Sequence, residues 1–433
     1  MQRTHLHDED QQVAAVLDHE IRRQSEGMEL IPSENYVSQA VLEALGSEFT
    51  NKYSEGYPGK RYYGGQEFTD DVENLAIERA KQLFHCDHAN VQPLSGAPAN
   101  VATYFAWLEP GDTVLGMDLG HGGHLTHGHP VTYISKIFNF VRYKIGNLET
   151  GEIDYDNLRA MALEHKPKII LAGFSAYPRS YDYDKFAEIA KEVGAVAMAD
   201  MAHIAGLIAG GVLPNPFDHG FHIITTTTHK TLRGPRGGMI LSQGKVGNPL
   251  KKPEKTIENL PTLIDRSVFP GFQGGPHMSN TAAKAVAFGE ALKPEFKVYA
   301  QQVLDNAKAL ADELMKLGCK LVTNGTDNHL MLIDTVTSWG LTGDVVETVL
   351  DRVNMTLNKN GIPDDKNPPY TPSGVRLGTP AMTTRGMKED EMRKIAQYIR
   401  KAVDHRDDEG TLKNLQQEVK EFCLQYPVPE SHG

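Results

Sequence analysis

Cysteine is scarce in this chain: Cys86, Cys319 and Cys423 are the only three among 433 residues. Their odd number and wide spacing exclude a disulfide framework and the close cysteine pairs of a zinc motif. Positive charge is also in deficit, because 44 Lys and Arg face 56 Asp and Glu and leave a net charge of −12. That balance argues against a broad nucleic-acid surface, although a local basic pocket stays possible. We therefore expect a reducing compartment, the cytoplasm, and no nucleic-acid partner.

A long uninterrupted apolar run is absent as well. The most apolar stretch, Gly194 to Leu213, is interrupted by Asp200 and His203. Polar and ionised groups at such depth are costly in lipid, so the stretch predicts a buried strand and loop, and no membrane association. The N-terminus carries His5 and several acidic residues before any apolar run, which is not the pattern of a secretory signal.

The remaining composition is that of a globular protein long enough for two or three domains. We predict an N-terminal helical arm over residues 1–50, a large domain over 51–278 and a small C-terminal domain over 279–433. Helical periodicity marks residues 10–24 and 69–84, where apolar residues recur three and four positions apart.

Short apolar runs alternate with helical patterns through the middle of the chain. Such alternation predicts an α/β fold with a mostly parallel central sheet and a ligand crevice at the carboxyl ends of its strands. A smaller α/β domain is expected after the glycine-rich segment 269–276. The apolar runs cover Thr113–Met117, Lys168–Gly173, Ala195–Ala199, Phe221–Thr225 and Gly238–Leu241.

One of these runs, FHIITTTTHK, places Lys230 at the end of a predicted strand, directly before the glycine-rich turn 234–238. A lysine there suits a Schiff-base amine, since burial and nearby cations lower a lysine pKa and small residues admit a bulky ligand. Taken alone, a surface lysine that caps a loop explains the position better.

Asp200 ends another apolar run, VGAVAMAD, 30 positions before Lys230. One sheet would thus bring a carboxylate and an amine to strand ends. A buried carboxylate can pair with a pyridinium nitrogen and keep that ring an electron sink. His203 follows closely enough to contact a phenolic oxygen of the same ring. The competing interpretation of Asp200 is a helix N-cap.

Two segments could bind a phosphate through backbone N–H groups and hydroxyls. They are Ser95, Gly96 and Ala97, which precede the helical stretch 99–108, and the pair Gly274 and Gly275. A glycine pair can also be only a turn. Neither segment matches a Walker or Rossmann pattern, so nucleotide binding is disfavoured.

Four long motifs, in this order, resemble the bacterial serine hydroxymethyltransferase family. They are NKYSEGYPGKRYYGG from Asn51, HGGHLTHG from His121, DMAHIAGL from Asp200 and TTTTHKTLRGPRGG from Thr225, and the resemblance extends from ELIPSENY near residue 30 to SGVRLGTPA near residue 380. It implies an aminotransferase-like (fold type I) enzyme whose large domain binds pyridoxal 5'-phosphate covalently on Lys230. It also implies reversible transfer of the serine hydroxymethyl carbon to tetrahydrofolate, giving glycine and 5,10-methylenetetrahydrofolate. The family forms a homodimer, or a dimer of dimers, with active sites shared between subunits.

The resemblance assigns roles to the matching residues. Lys230 would be the Schiff-base lysine, Asp200 the partner of the pyridinium nitrogen and His203 the contact to the ring oxygen. His124 would stack on the ring. Further cofactor contacts would come from Ser95, Gly96, Ala97, Ser175, Thr227, His229, Gly274, Gly275 and Tyr53.

The substrate and folate residues follow from the same resemblance. Arg376 would bind the substrate carboxylate through its two-pronged guanidinium, with Ser33 assisting. Glu55 would be the proton-transfer group, and Tyr63 and His203 would also act at the substrate. The folate pocket would comprise Glu55, Tyr62, Leu119, Gly123, His124, Leu125 and Asn360.

Three other interpretations stay open. The closely spaced His121, His124, His127 and His129 could form a metal site, although no cysteine joins them and we expect no metal. A folate-independent aldolase for threonine or another β-hydroxy amino acid would use the same lysine, aspartate and arginine. A catalytically silent scaffold protein is disfavoured by the presence of all these groups together.

The chain departs from the family pattern at three positions. Ala97 stands where the family usually has serine, so one hydroxyl contact to the cofactor phosphate would be missing. Pro32 replaces the usual alanine, and Ala199 stands where a larger aliphatic residue is common. We expect weaker cofactor retention from the first departure and a slightly looser Asp200 from the third.

Overall fold

The computed structural model describes residues 4–248, 251 and 253–429. Contacts between residues divide it into two compact units. One unit comprises residues 40–300, and the other comprises the residues up to 39 together with those from 301 onwards. The predicted arm, large domain and small domain have other bounds, and that three-part division stays a prediction.

Helices are distributed over the whole described chain. The α-helices are α1 Thr4–Glu9, α2 Gln11–Glu26, α3 Gln39–Leu45, α4 Glu67–Phe84, α5 Gly96–Trp107, α6 Tyr155–His165, α7 Tyr183–Val193, α8 Ala205–Ala209, α9 Leu260–Arg266, α10 Met278–Ala291, α11 Pro294–Lys316, α12 Thr335–Trp339, α13 Gly343–Asp351, α14 Pro380–Thr384, α15 Glu389–Asp404 and α16 Glu409–Leu424. Short 3₁₀ turns cover Glu48–Asn51, Leu119–His121, Leu125–His127, Tyr133–Lys136, Pro216–His219, Ile257–Asn259 and Val322–Asn324, and an irregular turn covers Ser267–Phe272.

The strands alternate with these helices most regularly between residues 113 and 242. They are β1 Met28–Glu29, β2 Gly56–Tyr57, β3 Lys60–Arg61, β4 His88–Asn90, β5 Thr113–Met117, β6 Asn139–Tyr143, β7 Ile169–Gly173, β8 Val196–Asp200, β9 Ile223–Thr227, β10 Gly238–Ser242, β11 Lys320–Leu321, β12 Leu330–Asp334, β13 Met355–Thr356, β14 Asn358–Asn360 and β15 Gly374–Gly378.

A seven-stranded sheet forms the centre of the 40–300 unit, in the order β4-β10-β9-β8-β7-β5-β6. Strands β5 to β9 pair in parallel with one another. The predicted α/β fold with a mostly parallel central sheet is confirmed. The carboxyl ends of these parallel strands therefore open at one edge of the sheet, where a ligand crevice is expected.

Strand β10 is the exception, since it runs antiparallel to both β9 and β4. Only the short loop between Thr227 and Gly238 connects it to β9. A parallel return needs a crossover of a dozen or more residues, so this loop is too short for one. The same short loop carries Lys230, which is thereby held close to the end of β9.

Local sequence explains how the crossover helices are placed. The Asp182 side chain accepts a hydrogen bond from the Lys185 backbone and caps α7, and Gly194, at φ 70°, ends it. Apolar side chains from β7, β8 and β9, including Leu171, Met198 and Ile223, are fully buried beneath α5 and α9. Each contributes roughly 1.5–3 kcal/mol on burial, which fixes the strands and hence the residues at their ends.

The second unit contains a four-stranded antiparallel sheet in the order β11-β12-β15-β14. A core of buried apolar residues from this sheet, α13, α15 and α16 stabilises the unit. Strand β1 pairs in parallel with β13 and so ties the N-terminal segment to it. Among the residues that the structure describes, no helix combines the length and the apolarity needed to cross a bilayer.

Candidate active site

Asp200 and Lys230 lie at the carboxyl ends of two neighbouring parallel strands. Asp200 is the last residue of β8 and pairs with Thr225 of β9, while Lys230 follows the end of β9 by three residues. The Thr231 hydroxyl donates to the His203 carbonyl at 2.9 Å and so ties the lysine turn to the turn after β8. We use the term strand-end cluster for Asp200, His203 and Lys230 with Asn100, His124, Thr126 and His127.

The Asp200 carboxylate is buried and surrounded by donors, with 8% of the residue exposed. Its Oδ2 accepts from Asn100 Nδ2 at 2.8 Å and from His127 Nε2 at 3.0 Å. Its Oδ1 accepts from the Ala202 backbone at 3.1 Å. Burial by itself raises the pKa of Asp200, but the hydrogen bonds that its carboxylate accepts from His127 and Asn100 hold that pKa well below its usual range. The carboxylate is therefore ionised at neutral pH.

The N-cap interpretation of Asp200 is wrong. The helix that follows, α8, begins at Ala205 with Ile204 at its cap position. The Asp200 side chain instead closes a tight turn on Ala202 and makes its other hydrogen bonds to side chains from elsewhere in the fold. An ionised carboxylate held this way is suited to stabilise a cation placed beside it.

The loop that carries Lys230 is held at both ends by backbone hydrogen bonds. The Thr228 amide donates to the Gly237 carbonyl at 3.1 Å, and the Gly234 amide donates to the Thr228 carbonyl at 2.8 Å. Burial, followed by the charges of Arg236 and Lys230, lowers the pKa of His229 to about 3, so its imidazole is neutral. Lys230 itself is partly buried.

Ser95 and Gly96 lie against the end of β9 and the start of β10. A Cβ on Gly96 would meet Thr227 Cγ2 at 2.9 Å, and one on Gly238 would meet the Ser95 carbonyl oxygen at 2.4 Å. These contacts explain why glycine is needed at both positions. The segment opens α5, a helix of 12 residues, and the Ser95 side chain makes no cap hydrogen bond there. A helix start of this kind favours an anion such as phosphate.

His203 and Ser175 follow two adjacent strands. The His203 ring stacks on Phe174, with ring centroids 6.2 Å apart and an angle of 29° between the planes. The Ser175 amide donates to the Gly122 carbonyl at 2.7 Å. The turn after β7 therefore contacts both the turn after β8 and the glycine-rich segment that precedes His124.

Three of the predicted folate residues flank His124. A Cβ on Gly123 would lie 2.2 Å from the Met117 carbonyl oxygen, so this backbone approaches the end of β5 as only glycine allows. Leu119 and Leu125 expose 36% and 44% of their surface. Exposed leucines on either side of an imidazole form a mixed apolar and polar surface of the kind that a flat heterocycle requires.

Another group of predicted residues lies on the exposed surface of the same unit. We call Tyr53, Glu55, Tyr62 and Tyr63 the tyrosine cluster. The Tyr53 hydroxyl donates to Glu55 Oε1 at 3.2 Å, and the Tyr53 and Tyr63 rings meet edge to face at 5.2 Å. The predicted phosphate residues Gly274 and Gly275 adjoin this cluster, since Cβ atoms there would meet Glu55 Oε1 at 3.3 Å and the Tyr53 ring at 3.2 Å.

The four closely spaced histidines contact different partners. His121 Nδ1 accepts from the Ile145 backbone at 3.3 Å, His129 Nδ1 accepts from the Val131 backbone at 3.3 Å, and His127 contacts Asp200. Within residues 4–248, 251 and 253–429, no group of three or more His, Cys, Asp or Glu side chains is arranged to hold a metal ion.

Arg376, Ser33 and Asn360 belong to the other unit. The Arg376 Nε donates to Asn358 Oδ1 at 3.1 Å across the β14–β15 pair, and burial lowers the pKa of Arg376 to about 10. The Gly378 amide at the end of β15 donates to the Leu30 carbonyl at 2.8 Å, which brings the segment with Ser33 against the strand that carries Arg376. Asn360 lies on β14, opposite Gly374.

Several residues that contact the predicted site residues were not predicted from the sequence. Asn100, Thr126 and His127 complete the strand-end cluster, and Asn358 orients Arg376. Lys284 is the clearest omission, because a lysine within the apolar helical run TAAKAVAF is a detectable signal of a buried charge.

Lys284 is 2% exposed and donates to three backbone carbonyls. Its Nζ lies 2.6 Å from the Val91 oxygen, 3.2 Å from that of Pro93 and 2.9 Å from that of Gly238. The ammonium thereby joins the loop that leads to Ser95 with the first residue of β10. Burial lowers the pKa of Lys284 to about 7.

A mostly parallel sheet with a lysine and an ionised carboxylate at adjacent strand ends is the arrangement that a pyridoxal-phosphate enzyme of fold type I would use. Lys230, the ionised Asp200 and the start of α5 fit the aldehyde, the ring nitrogen and the phosphate of that cofactor, and the close-packed Gly96 and Gly238 leave the phosphate end no competing side chain.

Comparison with known proteins gives the family. A family model described as serine hydroxymethyltransferase matches residues 6–399. The chain is 54% identical over 419 residues to a serine hydroxymethyltransferase of Acidobacterium capsulatum, covering 97% of this chain and 94% of that protein. It is also 54% identical over 423 residues to one of Koribacter versatilis, covering 98% and 95%. The chain belongs to the serine hydroxymethyltransferase family, which depends on pyridoxal 5'-phosphate and uses tetrahydrofolate as co-substrate.

Proposed function

We propose that this chain transfers the hydroxymethyl carbon of serine reversibly to tetrahydrofolate, giving glycine and 5,10-methylenetetrahydrofolate. The observation that carries the proposal is the placement of Lys230 and of the buried, ionised Asp200 at the ends of adjacent parallel strands, in a chain of this family. The family match does not favour the folate-independent aldolase.

The cofactor would be held by residues of the 40–300 unit. Lys230 Nζ would bind its aldehyde, Asp200 its ring nitrogen and His203 its ring oxygen, while His124 would lie against its face. The Ser95 hydroxyl and the first amides of α5 would hold the phosphate. When bound, pyridoxal phosphate supplies an electron sink for the bond that breaks at the α-carbon.

Asp200 would hold a proton on that ring nitrogen. A carboxylate whose pKa is lowered by fixed donors stays ionised beside a cation, so Asp200 would favour the protonated form of that nitrogen. Because these donors are already in place, little reorganisation accompanies the reaction.

Arg376 would bind the carboxylate of serine or glycine, with the Ser33 hydroxyl as a second donor. The hydrogen bond from Nε to Asn358 fixes the plane of the guanidinium. A fixed plane orients the carboxylate and thereby decides which bond at the α-carbon breaks.

Glu55 would move the proton between the serine hydroxyl and the folate amine, with Tyr53, which packs edge to face on Tyr63, holding its carboxylate in place. Tyr62, Leu119, Leu125 and Asn360 would provide the surface for the pterin and its aryl tail.

We infer a cytoplasmic homodimer in which the tyrosine cluster reaches the site of a second subunit. The exposure of Tyr53, Tyr62 and Tyr63, at 56%, 57% and 51%, supports this arrangement, since clustered exposed aromatic residues are typical of interfaces. The three cysteines are buried free thiols, which agrees with a reducing compartment.

The direct test measures glycine formed from serine by the purified protein with and without tetrahydrofolate. The proposal predicts that folate raises the rate at least tenfold above the folate-free rate, roughly 1.4 kcal/mol of additional transition-state stabilisation. Equal rates with and without folate, together with rapid cleavage of threonine, would identify an aldolase instead.

A further inference from the structure

A continuous chain of hydrogen bonds joins Asp200 to His124 through Asn100 and Thr126. Asn100 Nδ2 donates to Asp200 Oδ2 at 2.8 Å and to Thr126 Oγ1 at 2.8 Å. Thr126 Oγ1 lies 2.7 Å from His124 Nδ1. Both Asn100 and Thr126 are buried, so water does not compete for these contacts.

The direction of the first bonds is fixed by chemistry. Asp200 is ionised and can only accept, so the Asn100 NH₂ group must face it. The Thr225 hydroxyl donates to Asn100 Oδ1 at 2.5 Å and fixes the same amide orientation from the other side. The Thr126 oxygen therefore accepts from Asn100, and its own proton is directed to His124 Nδ1.

The protonation state of His124 follows. The Thr126 backbone amide also donates to His124 Nδ1, at 3.1 Å. A backbone N–H cannot accept, so Nδ1 carries a lone pair and the ring proton is on Nε2. Two donors on one imidazole nitrogen also fix the orientation of the ring.

The neighbouring histidine obeys the same rule. The His124 backbone amide donates to His127 Nδ1 at 3.1 Å, so the His127 proton is on Nε2 and is donated to Asp200. Both imidazoles thus accept at Nδ1 and carry their ring proton on Nε2, and the Asp200 carboxylate is the charged acceptor of this hydrogen-bonded group.

We propose that Asn100 and Thr126 are positioning residues that couple the ring-nitrogen partner, Asp200, to the ring-stacking imidazole, His124, and hold His124 as the neutral Nε2–H tautomer. The assignment of roles to Asp200 and His124 rests on the proposed function. A neutral stacking ring leaves Asp200 as the charge that acts on the cofactor nitrogen, whereas an imidazolium on the ring face would oppose protonation of that nitrogen.

The chain offers matched variants for a test. Thr126→Val removes the hydroxyl and keeps the backbone amide and the shape, while Thr126→Ser restores a hydroxyl. Thr103→Val is the control, because the Thr103 hydroxyl is equally buried but donates to the Ala99 carbonyl of its own helix.

The first measurement is the ¹⁵N spectrum of histidine-labelled protein without cofactor, at about pH 8, with a His124→Asn variant to assign the resonance. We expect His124 to carry its proton on Nε2. In Thr126→Val the Nδ1 resonance should move toward that of an imidazole nitrogen with weaker hydrogen bonding, while Thr126→Ser and Thr103→Val leave it near its original position. A proton on Nδ1, or equal shifts in Thr126→Val and Thr103→Val, would overturn the proposal.

The second measurement is the dissociation constant of pyridoxal 5'-phosphate. One lost hydrogen bond should raise it about fivefold in Thr126→Val and leave it unchanged in Thr103→Val. An unchanged constant in Thr126→Val would reduce the hydrogen-bond chain to a structural role and contradict positioning. Failure of the unsubstituted protein to bind the cofactor would contradict the proposed function, whereas the tautomer of His124 would still be measured independently.

Discussion

The strand-end cluster and the tyrosine cluster belong to the same compact unit, yet they differ in burial and in the number of hydrogen bonds that their side chains make within it. Asp200, Asn100 and His127 are buried, and both Asn100 and His127 donate hydrogen bonds to the Asp200 carboxylate. Tyr53, Tyr62 and Tyr63 are more than half exposed, and within the described residues the Glu55 carboxylate accepts a hydrogen bond from the Tyr53 hydroxyl alone. The hydrogen bonds of the strand-end cluster thus come from a single chain. The tyrosine cluster instead has the exposed aromatic composition of a surface that contacts another molecule.

The two clusters should therefore respond differently to substitution. A buried, satisfied network is rigid and sensitive to the loss of any one member, because each lost partner leaves another group unpaired. An exposed cluster tolerates substitution structurally, so its variants should lose function while keeping the fold. Each of the following expected outcomes separates the two behaviours.

Replacement of Lys230 should have the largest effect. Lys230→Ala removes the amine proposed to bind the cofactor, and turnover of serine should fall by about 10³-fold or more. Mass spectrometry after borohydride reduction should find the cofactor attached to the unsubstituted protein and absent from the variant. Lys185→Ala, which changes an exposed lysine over Tyr155, is the control and should retain both properties. Attachment at another lysine would refute the assignment.

Asp200→Asn should have the second-largest effect, since it removes the carboxylate charge and keeps the shape of the side chain. We expect turnover to fall by about 10²–10³-fold, because the proton on the ring nitrogen would no longer be stabilised. The pKa of Asp200 lies well below its usual value, so its stabilising effect is present above about pH 4 and is lost only as the pH falls through that lowered pKa. The decline of activity between about pH 7 and 5 should therefore have the same pH dependence in Asp200→Asn as in the unsubstituted protein. A shift of that pH dependence in the variant would mean that Asp200 titrates in this range.

Glu55→Gln should separate the two clusters most clearly. Folate-dependent turnover of serine should fall by about 10²-fold, while the dissociation constant of the cofactor changes little. Equal losses of turnover and of cofactor binding would contradict the proton-transfer role. The urea midpoint should change little, because Glu55 is partly exposed and its carboxylate accepts one hydrogen bond, from the Tyr53 hydroxyl.

Lys284→Met should destabilise the fold, by about 2–4 kcal/mol, because three buried carbonyls lose their donor. The pKa of Lys284 is lowered to about 7, against 10.5 when exposed. Between these values the unfolded chain holds a proton that the folded chain has lost, so the stability contributed by Lys284 rises with pH across that window. Urea unfolding of both proteins from about pH 6 to 9 should show a widening difference. A constant difference would mean that the carbonyls keep the proton in place despite burial.

The smallest effect is expected at the start of α5, where the cofactor phosphate is proposed to bind. Ala97→Ser, in the first turn of α5, would add one neutral hydrogen bond and lower the cofactor dissociation constant about fivefold. Equilibrium dialysis measures this change directly. An unchanged constant would show that the missing hydroxyl has no role in cofactor retention.

Much of the fold followed from sequence because alternating apolar runs and helical periods are local signals. Strand β5 coincides with the predicted Thr113–Met117, and β7 begins one residue later than predicted. The direction of β10 depends on loop length in relation to sheet geometry, and the short edge strand β4 has too few residues for a clear pattern. Lys230 and Asp200 were accessible because each ends an apolar run.

The rest of the candidate site depends on contacts that no local pattern records. Asn100 lies 100 residues from Asp200 and 26 from Thr126, and both are ordinary polar residues in a helix and a turn. Their role arises only because α5 passes beside the ends of β8 and β9. Lys284 is different, since a charge inside an apolar helical run could have identified it from sequence.

The most direct test of the proposed function is the visible absorption spectrum of the purified protein, alone and then with glycine and tetrahydrofolate. We predict a band from the lysine-bound cofactor in the protein alone, and a new band at longer wavelength only when both ligands are present. A cofactor band that does not respond to folate, or the absence of any band after the cofactor is added, would contradict it.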